Sequence, residues 1–210
     1  MRVIILIVCI SIGVTVFAQD DMPDYRSKRE NFSKMQEKDI KADLASFTMA
    51  GIDEGVGKGT LQSIPPTASG NNFITFSQDY TSVKIVSGSF DKSKHKLGYY
   101  DKYLVKIDNK PFYSNYGKVP VKTIDTMIVV IEGDTIDIPK AAYADLYNPV
   151  FTYYDNGKAK TNGGVYFSKD KHKMYIYLMN RIEGGSYEVT WVIQDKKYLR
   201  RVVDYGFLKE

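Results

Sequence analysis

The sequence predicts an all-β fold, an antiparallel sandwich or distorted barrel of about ten to twelve strands. Three observations carry that expectation. From about Asn72 onward apolar and polar residues alternate almost everywhere. Clusters of glycine, asparagine and aspartate break the alternation at hairpin spacing. The chain also holds 17 tyrosines, all after Ala18, and tyrosine suits a pleated, half-buried surface. With 43% apolar and 26% charged residues the composition is that of a globular chain with its own core, which argues against disorder or a coiled-coil rod. The 29 Lys and Arg against 25 Asp and Glu leave a net charge of +4, without the concentrated basic face that a nucleic-acid partner needs.

Residues 1–18 read as a secretory signal. Met1 and Arg2 precede an uncharged stretch from Val3 to Ala18, and Val16-Phe17-Ala18 supplies a cleavage site before Gln19. That stretch is shorter than the roughly 18 to 20 residues a spanning helix needs, so no transmembrane span is expected after cleavage. Cys9 is the one cysteine. Val8 before it and the short run back to Arg2 do not suit lipid attachment, and cleavage would leave neither a disulfide nor a thiol. The expected location is the periplasm or the outer membrane, with the extracellular space as the alternative.

Residues 19–45 form a charged lead-in, helical or loose, with Tyr25, Phe32, Met35, Ile40 and Leu44 at nearly helical spacing. The β domain is then expected over 46–210, with an alternative sub-boundary near 118–122. Phe47 and Met49 suggest a first strand, and the four glycines from Gly51 to Gly59 a loop. Hairpins follow at Phe73–Phe76 with Val83 and Ile85, and at Met127–Ile131 with Thr135–Ile138. Tyr103, Val105 and Ile107 are expected to share a face. Asp155-Asn156-Gly157 and Asn162-Gly163-Gly164 read as tight turns. Pro139 ahead of Lys140–Leu146 predicts a short helix plugging an open end, ended by Asn148-Pro149. In the last hairpin Tyr187, Val189, Trp191 and Ile193 point to the core, opposite Glu188, Thr190 and Gln194, before the return through Tyr198–Val203.

Two internal alignments compete. At an offset of 91, Phe76-Ser77-Gln78-Asp79 with Val83 and Ile85 matches Phe167-Ser168-Lys169-Asp170 with Met174 and Ile176. At an offset of 77, Phe90 with Lys94-His95-Lys96 matches Phe167 with Lys171-His172-Lys173.

Chemistry is sparse. Gly55-Val56-Gly57-Lys58-Gly59-Thr60 lacks the first glycine and the hydroxyl directly after lysine that a phosphate-binding loop requires. His95 and His172 each sit between lysines, which predicts solvated rings with nothing to orient them. No metal spacing or nucleophilic triad is legible, so neither a metal nor a cofactor is expected and the chain reads as a non-enzyme. Glu132, Asp134 and Asp137 make the densest acidic turn after the lead-in. The candidate binding residues are the tyrosine pairs Tyr99-Tyr100 and Tyr153-Tyr154 together with Tyr175 and Tyr177 on one strand face. One member of each adjacent pair is expected to be exposed. Tyrosine's apolar ring and polar tip suit protein interfaces and sugar stacking alike. The expected function is therefore a non-catalytic envelope protein acting through an envelope protein partner. The alternatives are a glycan-binding module, which an exposed Trp191 would favour, and a hydrolase with a convergent acid pair.

Overall fold

The computed structural model describes residues 61–205, apart from 116, 169, 183 and 184. The signal, the lead-in, the strand at Phe47–Met49 and the glycine-rich loop lie outside the described residues. What is described is an all-β, antiparallel sandwich with no closed barrel.

One sheet has the order β1 (Gln62–Ile64), β11 (Gly163–Phe167), β12 (Lys173–Ile182), β13 (Gly185–Gln194), β14 (Lys197–Tyr205). The other has the order β2 (Pro66–Ser69), β3 (Phe73–Gln78), β4 (Thr81–Ser89), β7 (Lys122–Ile131), β8 (Asp134–Ile136). Two ribbons stand apart from both, β5 (Leu97–Tyr100) with β6 (Tyr103–Ile107), and β9 (Thr152–Asp155) with β10 (Lys158–Thr161). These ribbons and the short edge strands take the count past the ten to twelve expected.

The two sheets share a plan. In each, an edge strand is followed by a four-stranded meander, and the chain steps from one edge to the other through Pro65 between β1 and β2. The offset of 91 sets the β3–β4 hairpin on the β11–β12 hairpin. Phe76 pairs with Val83 and Ile74 with Ile85, as Phe167 pairs with Met174 and Val165 with Ile176. The offset of 77 sets Phe90, which follows β4, on Phe167 inside β11, and so matches no pair of equivalent strands.

The core lies between the sheets. Ile74, Phe76, Val83, Ile85, Ile124 and Val129 meet Val165, Ile176, Leu178, Val189, Trp191 and Ile193, all essentially inaccessible. Side chains from both sides of 118–122 enter this one core. Met127, Val129 and Ile131 face inward while Ile128 is exposed, so this unbroken apolar stretch alternates in its burial.

Trp191 is fully buried, and its indole N–H donates to the Ala142 carbonyl at 2.8 Å. The helix expected over Lys140–Leu146 is only a 3-10 turn at Lys140–Ala142. Its place is set by β8, which pairs only with the last residues of β7. The segment after β8 lies along the vacant part of β7. Lys140 donates to the Ile124 and Asp125 carbonyls, and Ile124 N–H and Asn148 N–H close the path through Leu146 and Lys122 carbonyls. Arg201 of β14 then clasps the segment from the other sheet, with a bidentate pair to Asp145 at 2.6 and 2.7 Å and a bond to Ala142 O at 3.0 Å.

Of the two expected tight turns, one forms and the other does not. Asn156 and Gly157 do make a two-residue hairpin turn, both with positive φ, between β9 and β10. Asn162-Gly163-Gly164 makes none. Asn162 is buried and both glycines are strand residues of β11. A Cβ on Gly163 would sit 3.0 Å from the Tyr177 carbonyl, so this glycine permits close backbone approach.

Candidate interaction surface

Strand direction sorts the sandwich into two ends. The turns β3–β4, β7–β8, β11–β12 and β13–β14 gather at one end, where Gln78–Thr81, Glu132, His172 and Asp195 line a common cavity. Both ribbons leave from the opposite end. The β5–β6 ribbon follows the end of β4, and β10 runs through Asn162 directly into the start of β11.

The β5–β6 ribbon is held by a small core of its own. Leu104, Ile107 and Tyr147 are buried there, with Phe90, Leu97, Phe112 and Val119 packed around them. Phe90 stacks on His95 and meets Tyr147 edge-on at 5.3 Å between centroids. Burial pushes the Tyr147 hydroxyl up to about 12. Tyr103, Val105 and Ile107 do not share a face here. Opposite Gly98 and Tyr99 stand Lys106 and Leu104, so Val105 is the extra residue of a bulge, and Leu104 and Ile107 face the core instead.

In both adjacent tyrosine pairs each ring is exposed, with Tyr100 and Tyr154 at 78%. The expectation of one exposed member assumed a strand lying on a core. These ribbons lie outside the two main sheets, and although Leu104 and Ile107 of β6 are buried, Tyr99, Tyr100, Tyr153 and Tyr154 are all exposed. Tyr103 joins them, directly opposite Tyr100 across the Asp101-Lys102 turn. Tyr103 is not among the tyrosines expected from sequence, and the spacing Tyr-Asp-Lys-Tyr around a two-residue turn is the signal that marks it. Beside this ribbon an apolar groove of about 350 Å³ is lined by Leu104, Val105, Pro111, Phe112 and Tyr113 with Gly185–Tyr187. On the β5–β6 ribbon and the segments that flank it in sequence, Lys92, Lys94, Lys96, Lys102, Lys106, Lys110 and Lys118 are exposed, against Asp91, Asp101 and Asp108. Tyr175 and Tyr177 share a face of β12 but are buried, at 4% and 1% exposure, and Tyr177 donates to Glu188 at 2.6 Å.

The far end holds a cavity of about 400 Å³ with an apolar floor of Ile64, Ile131, Phe167, Met174 and Ile193 and a charged rim. On that rim His172 Nδ1 lies 2.7 Å from Asp195 Oδ1. His95 Nδ1 lies 2.7 Å from Asp108 Oδ2 in the same manner. The expectation of unoriented, lysine-dominated histidines is corrected on both counts. Pairing of Lys173 with Gln194 sets the β11–β12 and β13–β14 turns side by side and brings the Asp195 carboxylate into direct contact with His172. The hydrogen bond and charge of Asp195 hold the His172 imidazole above its ordinary pKa, and the same hydrogen bond holds Asp195 below its own. Among the described residues no hydroxyl or thiol bonds the Nε2 of either ring, so the carboxylate that orients a catalytic histidine is present and a nucleophile is not joined to it. Glu132 and Asp134 converge on the Lys196 ammonium at 2.9 and 2.8 Å, largely in solvent. No group of three His, Cys, Asp or Glu able to hold a metal ion occurs among the described residues. No described helix is long and apolar enough to cross a membrane.

Comparison with known proteins finds no matching family model, no matching curated protein and no matching solved structure.

Proposed function

We propose that this chain is an exported envelope protein that acts without catalysis, by holding a protein partner on the ribbon end of its sandwich. One observation carries the reading: five tyrosines, Tyr99, Tyr100, Tyr103, Tyr153 and Tyr154, are exposed on two ribbons that leave the same end of the fold. Exposed rings with a polar tip give large contact area at low cost in side-chain entropy, and an apolar groove beside them accepts a partner's side chain. The exposed lysines of the β5–β6 ribbon and its flanks favour an acidic partner surface. The signal-like residues 1–18 support export.

The test is photo-cross-linking in intact cells with benzoylphenylalanine in place of Tyr100 or Tyr154, against a control at Ile128 on the sheet. One discrete protein adduct from both ribbon positions and none from the control is the expected result. Equal adducts from all three positions, or adducts to glycan alone, would overturn the proposal.

A further inference from the structure

The central strands β12 and β13 of the sheet that contains Trp191 are buried on both faces. The sheet's inner side belongs to the core, as alternation requires. Its outer side should carry the polar half of that alternation, yet Tyr175, Tyr177, Met179, Glu188, Thr190, Val192 and Val202 are all under one-tenth exposed. They form one continuous patch. Tyr166 pairs with Tyr175, Tyr175 with Val192, Tyr177 with Thr190, and Thr190 with Val202. Tyr166, Tyr175, Tyr177, Met179 and Val192 make a second apolar cluster separate from the core, and among the described residues the apolar side chain packed on it is Leu61. Leu61 is also the first described residue, immediately before β1 at the edge of this sheet.

We propose that residues 19–60 pack across this outer face, making the sandwich three layers deep on one side. The chain preceding Leu61 starts at the rim of the patch, so no long linker is needed to reach it. Four strands at about 4.8 Å spacing make the patch roughly 15 Å wide, and a helix from Phe32 to Leu44 at about 1.5 Å per residue is roughly 18 Å long. Phe32, Met35, Ile40 and Leu44 supply an apolar stripe for one side of that helix, while its remaining residues are mostly charged or polar. A layer of this kind also explains why Tyr175, Tyr177 and Met179 stand on the outer face of β12 while Ile176 and Leu178 fill its inner one, the pattern of a strand covered from two sides.

The experiment uses the chain from Gln19 to Glu210, with benzoylphenylalanine placed in turn at Phe32, Met35, Ile40 and Leu44, irradiated and mapped by mass spectrometry. Cross-links within one chain to residues 173–194 are expected from at least two positions. Cross-links confined to other surfaces, cross-links between two chains, or no product from any position would overturn the proposal. A second measurement uses Thr190→Cys in this otherwise cysteine-free chain. The thiol should be protected in the intact protein and react at least about tenfold faster once Phe32, Met35, Ile40 and Leu44 are all serine, with Trp191 fluorescence reporting that the core is intact. An unchanged rate with an intact core would contradict the packing.

Discussion

Replacing Asp145 with alanine should cost more stability than any surface change in this protein. The Arg201 guanidinium is 6% exposed and Asp145 19%, and their two bonds at 2.6 and 2.7 Å fix the segment after β8 onto β14. Burial by itself pulls the guanidinium down, but the bonds and charge of Asp145 outweigh it and hold Arg201 above its ordinary value. Removing one partner from a fully buried pair costs about 3–5 kcal/mol. Asp145 retains some solvent contact, so about 2–3 kcal/mol is expected, or roughly 5–10 °C in Tm for a chain of this size. Urea unfolding followed by Trp191 fluorescence reads this directly, because the indole shares the Ala142 carbonyl with Arg201. In a double-mutant cycle, Arg201→Met should cost less in the Asp145→Ala background than in the wild type, with a coupling of about 1–2 kcal/mol. A single-variant loss under about 0.5 kcal/mol, or strict additivity, would refute the reasoning.

Three further outcomes follow from the same geometry. Gly163→Ala forces a Cβ against the Tyr177 carbonyl and should destabilise by about 1–3 kcal/mol in a chemical denaturation series, whereas Gly133→Ala meets no atom within 4 Å and strains only a turn of positive φ. The His172 imidazole should titrate above 6.5 by NMR and fall back toward it in Asp195→Asn. Its pairing is fully present below 6.5 and is lost as pH rises through the raised folded value, so Asp195→Asn should be destabilised relative to wild type below about 6.5 and not at higher pH, and a destabilisation found only above neutrality would contradict the sign. Partner capture on the ribbon end should weaken steeply between low salt and about 0.3 M salt, read by surface-based binding, because the lysines there are exposed and screened.

How far the fold could be read from the sequence depended on what each residue faced. The β3–β4, β7–β8 and β13–β14 hairpins are legible because one face of each strand meets the core, so alternation and turn chemistry agree. Trp191 was legible for the same reason. The β5–β6 ribbon was misread because a single-residue bulge at Val105 reverses every side chain beyond it, and no local residue marks that bulge. Gly163-Gly164 was misread because glycine serves close approach as well as turns, and only the opposing Tyr177 backbone distinguishes them. Glu188 and Thr190 are polar and lie opposite the core face of β13, which by alternation alone is the side of the strand away from a core. Their burial depends on what lies over the sheet, which strand periodicity does not encode. For the candidate surface, four of the six tyrosines are exposed and two are not, since Tyr175 and Tyr177 lie on that covered face. The histidine partners were illegible because Asp108 and Asp195 are distant in sequence and meet their rings only through turn-to-turn packing.

The central claim, that the ribbon end holds a protein partner, is tested most directly by one comparison. Wild-type protein and a variant with Tyr99, Tyr100, Tyr153 and Tyr154 all changed to serine are used as bait for quantitative capture from envelope extract. These side chains are exposed, so each change should shift stability by no more than about 0.5 kcal/mol. The account predicts a stoichiometric partner on the wild type that falls at least about tenfold on the folded variant, as removal of aromatic anchors requires. Equal capture by both proteins, or repeated capture of no partner by the wild type, would contradict it.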